Sequence, residues 1–290
     1  MSFVERIALV NCEGEQLVGV IAEPGLPCKA GVLVVVGGPQ YRVGSHRQFV
    51  LLARKLASEG VPVMRFDCRG MGDGTGPMRS FEDMGPDIAT AIDTMVAACP
   101  ALEQVVLWGL CDAASAALCY WHARQDRRVA GMVLLNPWVR SEASMARTRI
   151  RHYYGKRLLE GAFWKKVARG DVDFAGAVSG VKRSVATLIA HRNDAGATES
   201  SLAFQDRMAE GLRAFGGPVL LILSGRDLTA KEFLEYVQRH PRWTGLLDRP
   251  NIHRHDVDDA DHTFSSARWR GQVEAITLNW FRRLLLGSSG

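Results

Sequence analysis

The sequence predicts an α/β protein, a mostly parallel sheet with helices on both faces. Three observations predict it. Short apolar runs rich in Val, Ile and Leu alternate with longer segments of helical period. Most of those runs are apolar throughout, as strands buried on both faces are. Gly and Pro punctuate the changes between them, at Gly37-Gly38-Pro39, Gly60, Pro100 and Pro137. Strands alternating with helices in this way give parallel pairing through right-handed crossovers.

Taken in order, Leu17–Ala22 alternates like a half-buried strand, and Gly31–Val36 is a buried strand closed by a Gly-Gly-Pro turn. Phe49–Ala57 has helical spacing and stops at Gly60. Val61–Phe66 is the next buried strand. Ile88–Ala98 is helical up to Pro100, Val105–Leu110 is a strand, and Ala113–Ala123 is an Ala-rich helix. Met132–Asn136 is a strand ended by Pro137. The alternation then lapses for about eighty residues, as judged by the two periods. It resumes with strands at Val219–Leu223 and Asn251–Val257, and Gln272–Leu286 is a closing amphipathic helix. The expected organisation is therefore a core of residues 1–137 and 217–286, an insertion over 138–216, and a flexible tail at 287–290. Ligands of open α/β sheets bind beyond the carboxyl ends of the strands, so the insertion is expected there, as a cap.

The chain has 290 residues and a formal charge of +5. That excess is local. Residues 139–215 hold 14 Lys and Arg against 8 Asp and Glu, which leaves 22 against 23 elsewhere. Nine of the basic residues fall between Arg140 and Arg169. A solvated helical face and a surface for an anionic substrate or carrier are both consistent with this run. It contains no zinc-finger, RRM or homeodomain pattern, so no nucleic-acid partner is expected. No apolar run approaches the roughly 18 residues of a membrane span. Glu5 and Arg6 stand where the apolar part of an export signal would begin, and none of the six cysteines forms a C-x-x-C pair. The expectation is a reduced, cytoplasmic protein without metal or cofactor.

The segment that carries chemistry is Val105-Val106-Leu107-Trp108-Gly109-Leu110-Cys111-Asp112-Ala113. It reads as a strand, a sharp turn and a helix start, with small residues two places to either side of Cys111. That is the shape of a nucleophile elbow. A thiol there would lie at a helix N-terminus, which favours the thiolate. A buried structural cysteine is the plainer alternative. Ser115 is a rival nucleophile, but it sits a full turn into the helix. In such a site the acid and base follow the nucleophile in chain order. Asp227 comes just after the strand ending at Leu223, and His262 lies in the loop before the last helix. Asp261 and Asp259 compete with Asp227, but sequence neighbours of a histidine rarely face it across a site. His262 would be the general base and then the general acid. The oxyanion hole should use the backbone N–H of Asp112 and one from the loop after Val36. Pro39 has no N–H, so Gly38 is the expected donor, with Gln40 second.

Together these residues resemble the α/β-hydrolase superfamily, over nearly all of the chain outside 138–216. Gly37–Pro39 is similar to its oxyanion loop and Asp67–Gly74 to its D-x-R-G-x-G turn. A closer likeness is to the α/β hydrolases encoded with the bacterial exosortase A system. It rests on Gly37-Gly38-Pro39-Gln40-Tyr41-Arg42, Trp108–Asp112, Asn136-Pro137-Trp138 and Asp261-His262-Thr263-Phe264-Ser265. The resemblance implies an enzyme of an exopolysaccharide or protein-sorting locus. Cys111 in place of serine, and Ala113 in place of the second glycine, depart from the common pattern. They put peptidase or lipase activity in doubt. Dienelactone hydrolases are similar in placing a cysteine here. The expected activity is ester or thioester hydrolysis by Cys111, His262 and Asp227, on a small acyl substrate that an anionic carrier such as CoA or acyl carrier protein could bear. Gln40, His46 and Trp138 are candidate substrate-lining residues. His46, with Arg42 and Arg47, has a second reading as a helix start. Acyl transfer on the same triad, and acyl-ligand binding without catalysis, are the alternatives. A dehalogenase would need an Asp at the elbow tip, and Asp112 comes one place late.

Overall fold

The computed structural model describes residues 2–38, 40–140 and 202–287. Two compact units partition the chain: 1–139 with 202–290, and 140–201. Of the second unit, only Arg140 falls among the described residues. The bulk of the expected cap, and the basic run beyond Arg140, therefore lie outside them.

The first unit contains one eight-stranded sheet. Its strands are β1 (Phe3–Cys12), β2 (Glu15–Pro24), β3 (Ala30–Val35), β4 (Val63–Phe66), β5 (Gln104–Leu110), β6 (Val129–Leu135), β7 (Val219–Ser224) and β8 (Ile252–Val257). They lie in the order β1-β2-β4-β3-β5-β6-β7-β8. β1 and β2 form an antiparallel hairpin, β2 meets β4 antiparallel, and every pairing from β4 to β8 is parallel. The central strands are buried end to end, which is why their sequences lack polar alternation. Their side chains divide by parity. Leu33, Val35, Leu107, Leu221 and Leu223 join one apolar cluster, and Val32, Val34, Val106, Trp108 and Ile222 join the other. Each cluster is completed by helices. α1 (Gln48–Ser58) and the last helix, α6 (Ala267–Gly287), cover one face. α2 (Gly85–Ala98), α3 (Asp112–Arg124) and α4 (Phe204–Ala214) cover the other.

Three features depart from expectation. β1 was not foreseen, because Val4, Ile7 and Leu9 point apolar side chains to solvent and blur the period of two. A helix, α5 (Leu228–Arg239), follows β7 directly. The core also resumes at Leu202, well before the expected boundary at 217. Helix α4 belongs to the core because Gly211 lets it meet α3 backbone to backbone. A Cβ on Gly211 would lie 2.3 Å from the Leu118 carbonyl oxygen. At the far end, Gly287 closes α6, and the rest of the expected tail lies outside the described residues. No helix among the described residues is long and apolar enough to cross a membrane.

Candidate active site

The carboxyl ends of β3, β5, β7 and β8 converge on one place. At the end of β5 the chain turns through Cys111 with φ 63° and ψ −124° and enters α3 at Asp112. A non-glycine residue held in that region costs on the order of 1–3 kcal/mol, so the surroundings must enforce it. They do so through close packing. A Cβ on Gly109 would sit 2.6 Å from the Ala113 carbonyl carbon, so strand and helix approach too closely for any side chain there. The Cys111 N–H donates to the Leu135 carbonyl at 2.8 Å, and the Cys111 carbonyl accepts from Ala114 at 3.1 Å. Cys111 is partly exposed, whereas Cys12, Cys68, Cys99 and Cys119 are buried. Burial pushes the Cys119 thiol up to about 12, and holds that of Cys68 well above its ordinary value. Ser115, the rival nucleophile, is fully buried. Its hydroxyl donates to the Trp138 carbonyl at 2.7 Å and accepts from the Trp138 N–H at 3.0 Å. It fastens the segment after β6 to α3.

The acid–base side is built on β7 and β8. His262 Nδ1 lies 2.8 Å from Asp227 Oδ2. Asp227 also caps α5, accepting from the N–H groups of Thr229 at 3.0 Å and Ala230 at 3.2 Å. Burial opposes its ionisation, but the hydrogen bond and charge of His262 and the two amides hold it below its ordinary value. The His262 imidazolium is pushed up to about 10, first by the hydrogen bond with Asp227 and then by one with Cys111, while burial opposes the rise. Asp227 occupies Nδ1, which leaves Nε2 for the Cys111 sulfur. Asp261 is turned elsewhere and accepts from the backbone and hydroxyl of Ser265. Asp259 pairs with Arg268.

The oxyanion side is built on β3 and β5. Gly38 has φ +60°, a conformation suited to glycine, and it brings its N–H against the elbow. That N–H donates to Asp112 Oδ2 at 2.7 Å. Burial raises the Asp112 carboxyl above its ordinary value, and the nearby amides of Gly38, Ala113 and Asp112 itself oppose the rise. Gln40 is not available as a donor here, since its N–H is spent on the Gly38 carbonyl at 2.8 Å. Pro39 lies outside the described residues.

The remaining candidates divide. Trp138 is partly buried, with its N–H shared between Ser115 and, at 3.3 Å, the Cys111 carbonyl. His46 and Arg47 are exposed and adopt left-handed backbone immediately before α1. His46 still stands close enough to Asp261 to help lower its carboxyl. Arg42 is committed to ion pairs with Asp67 and Asp73. Within the D-x-R-G-x-G stretch, Asp67 accepts from Asp73 nearby and from Arg42 across 25 residues, and Arg69 donates to the buried Asp87 of α2 and to Glu13. In the sequence Asn136 figures only at a strand's end and in the family likeness, without a role of its own. It is fully buried with φ 43°, donates to Ser224 Oγ at 2.9 Å and to the His262 carbonyl at 3.0 Å, and accepts from the Ser224 N–H. It ties the ends of β6 and β7 to the backbone of the histidine. An Asn at a strand's carboxyl end, followed by Pro, was the available signal.

A cavity of about 630 Å³ opens at the amino ends of β5–β8, beside Trp121, Phe215, Pro218 and Trp280. It lies at the opposite end of the strands from Cys111, so an acyl group bound there could not reach the sulfur. Among the described residues no cluster of His, Cys, Asp and Glu could hold a metal ion.

Strand order, elbow and helix placement define an α/β-hydrolase fold. Residues 29–232 match the family described as Serine aminopeptidase, S33, and the chain belongs to that family. It is therefore a hydrolase of the α/β fold. Solved structures agree on the architecture. The chain is similar to the Pyrococcus furiosus esterase Pf2001, with 17% identity, 97% of this chain and 93% of that one covered, and a TM-score of 0.64. It is similar to a thermophilic esterase from Thermogutta terrifontis, with 16% identity, 96% and 99% covered, and a TM-score of 0.59. It is also similar to the haloalkane dehalogenase DatA from Agrobacterium tumefaciens, with 16% identity, 97% of each chain covered, and a TM-score of 0.56. No curated protein matches the sequence significantly.

Proposed function

We propose that the protein hydrolyses ester or thioester bonds through a Cys111–His262–Asp227 relay. The observation that carries the reading is His262 bonded through Nδ1 to Asp227 at 2.8 Å, with the Cys111 side chain near enough to help raise the imidazolium. With His262 protonated and Cys111 as thiolate, the sulfur attacks the acyl carbonyl. A C–S bond forms and the carbonyl electrons move to oxygen, where the N–H groups of Gly38 and Asp112 would receive the charge. Collapse breaks the bond to the leaving group, which takes the proton from His262. Neutral His262 then draws a proton from water as it attacks the acyl-enzyme, and release of the carboxylic acid restores the thiolate and imidazolium. The esterases among the structural neighbours support this reaction class, and the thiol at the elbow separates the site from serine peptidase chemistry.

Sequence charge narrows the substrate further. Nine Lys and Arg between 140 and 169 favour an acyl group on an anionic carrier such as CoA or acyl carrier protein. The likeness to exosortase A-associated hydrolases supports a role in exopolysaccharide or protein-sorting metabolism. A panel of p-nitrophenyl esters and acyl-CoA thioesters, run with wild type and Cys111→Ala, tests the proposal. Cys111-dependent release of free acid is expected. Undiminished turnover by Cys111→Ala would overturn the mechanism, and acyl-CoA turnover indifferent to ionic strength would remove the carrier.

A further inference from the structure

Gly38 supplies an N–H to the place where an acyl oxyanion would form, but that N–H already has a partner. The Asp112 carboxylate accepts it at 2.7 Å, across 74 residues of sequence. One expected oxyanion donor thus faces a resident anion, and that anion belongs to the residue whose amide is the other. The loop closes tightly around it: a Cβ on Gly37 would lie 2.0 Å from Asp112 Oδ1. Only glycine at 37 lets the oxyanion loop accept this carboxylate.

A carboxylate on the first turn of a helix is ordinary, since the N-terminal amides favour negative charge. Capping α3 alone would not require the bond to Gly38, which belongs to the loop after a different strand. Nor, among the described residues, does Asp112 have an ion pair of its own, as Asp227 has with His262. Its environment is amides and burial, and burial leaves its carboxyl above the ordinary value, with the more distant charge of His262 offering some relief.

We infer that the Asp112 side chain is a built-in occupant of the oxyanion hole, which an acyl carbonyl must displace before Cys111 can be acylated. The inference rests on the acyl-transfer reading above. In the resting enzyme the carboxylate imitates the oxyanion of the tetrahedral intermediate. Rotation of the Asp112 side chain then precedes acylation and adds to its barrier. Substrates that hold their carbonyl firmly against the Gly38 amide are selected over small activated esters. Asp112 thus acts in two parts, its backbone N–H serving the oxyanion and its carboxylate competing with it.

The test compares two reactions of Cys111. Acylation by p-nitrophenyl acetate needs the hole, whereas alkylation by iodoacetamide develops no oxyanion. Each rate is measured by stopped flow or intact mass for wild type, Asp112→Ala and Asp112→Asn. Asp112→Ala should raise the ratio of acylation to alkylation about tenfold, the scale of releasing one charge-assisted hydrogen bond. Asp112→Asn should fall between, because its amide oxygen can still accept from Gly38 without the charge. A change in thiolate content alone would move both rates together. A purely structural role would lower the thermal midpoint without raising the ratio. If Asp112→Ala does not fold, Asp112→Asn carries the test. A ratio unchanged or reduced in a folded variant overturns the inference while leaving acyl transfer intact. Absence of acylation in wild type and variants alike would overturn both.

Discussion

Two carboxylates stand on either side of the elbow, and their surroundings pull them in opposite directions. Asp227 lies below its ordinary ionisation range and Asp112 above it. Asp227 is buried and Asp112 half-buried, and both accept backbone amides. The difference among the described residues is the counter-charge: Asp227 touches His262 directly, and Asp112 has no ion pair there. Burial alone therefore does not decide the state of a carboxylate at this site; a cation within hydrogen-bond distance does. One side of the site is an ionised pair held in readiness. The other is a carboxylate that accepts the Gly38 amide, the donor the proposed reaction would use for its oxyanion.

Removing the paired carboxylate is the hardest test of that contrast. Asp227→Asn should cut kcat by about a thousandfold or more, as loss of the orienting acid does in comparable relays. It should also move the alkaline limb of the pH–rate profile toward neutral. His262 is raised from 6.5 to about 10, so its contribution to stability is complete below about 6.5 and is lost as pH rises toward 10. Asp227, being lowered, contributes above its ordinary 3.8 and loses that contribution as pH falls below it. Melting curves from pH 3 to 11 should show both edges in wild type, with the alkaline edge displaced downward in Asp227→Asn. An unshifted alkaline edge would mean that another group sets it.

Smaller effects sharpen the comparison. Asn136→Ala strands the buried Ser224 N–H and frees the His262 backbone. It should cost about 1–3 kcal/mol by denaturant titration and lower kcat more than it raises KM. A loss of stability with kinetics unaffected would make Asn136 purely structural. Ser115→Ala should be the mildest, about 1 kcal/mol for the hydroxyl's bonds to Trp138, with turnover within about twofold of wild type. A collapse of activity there would restore Ser115 as the rival nucleophile.

The parallel sheet was legible because β3, β5, β6 and β7 carry unbroken apolar runs, and burial on both faces demands such runs. Helix α3 was legible through its alanines, since a helix buried on most sides must be small and apolar. Helix α5 was not foreseen, although Leu228–Arg239 has an amphipathic period and Asp227 is a good N-cap. Asp227 was weighed only as a catalytic acid, and it caps the helix as well as bonding His262. Helix α4 was grouped with the insertion because its contact with α3 depends on Gly211, and a lone glycine says nothing of what it packs against. Residues Gly38, Cys111, Asp112, Asp227 and His262 could be named from turn chemistry and chain order. The bond from Gly38 to the Asp112 side chain could not, because it joins loops whose approach only the folded sheet determines.

The proposed relay requires a covalent acyl intermediate on Cys111, and intact-mass spectrometry after rapid quench detects it. With a p-nitrophenyl ester or acyl-CoA donor, wild type should gain one acyl mass that peptide mapping places on Cys111. Cys111→Ala should gain none, and Asp227→Asn should accumulate the adduct slowly. An adduct on another residue, or Cys111-independent turnover without one, would contradict the account.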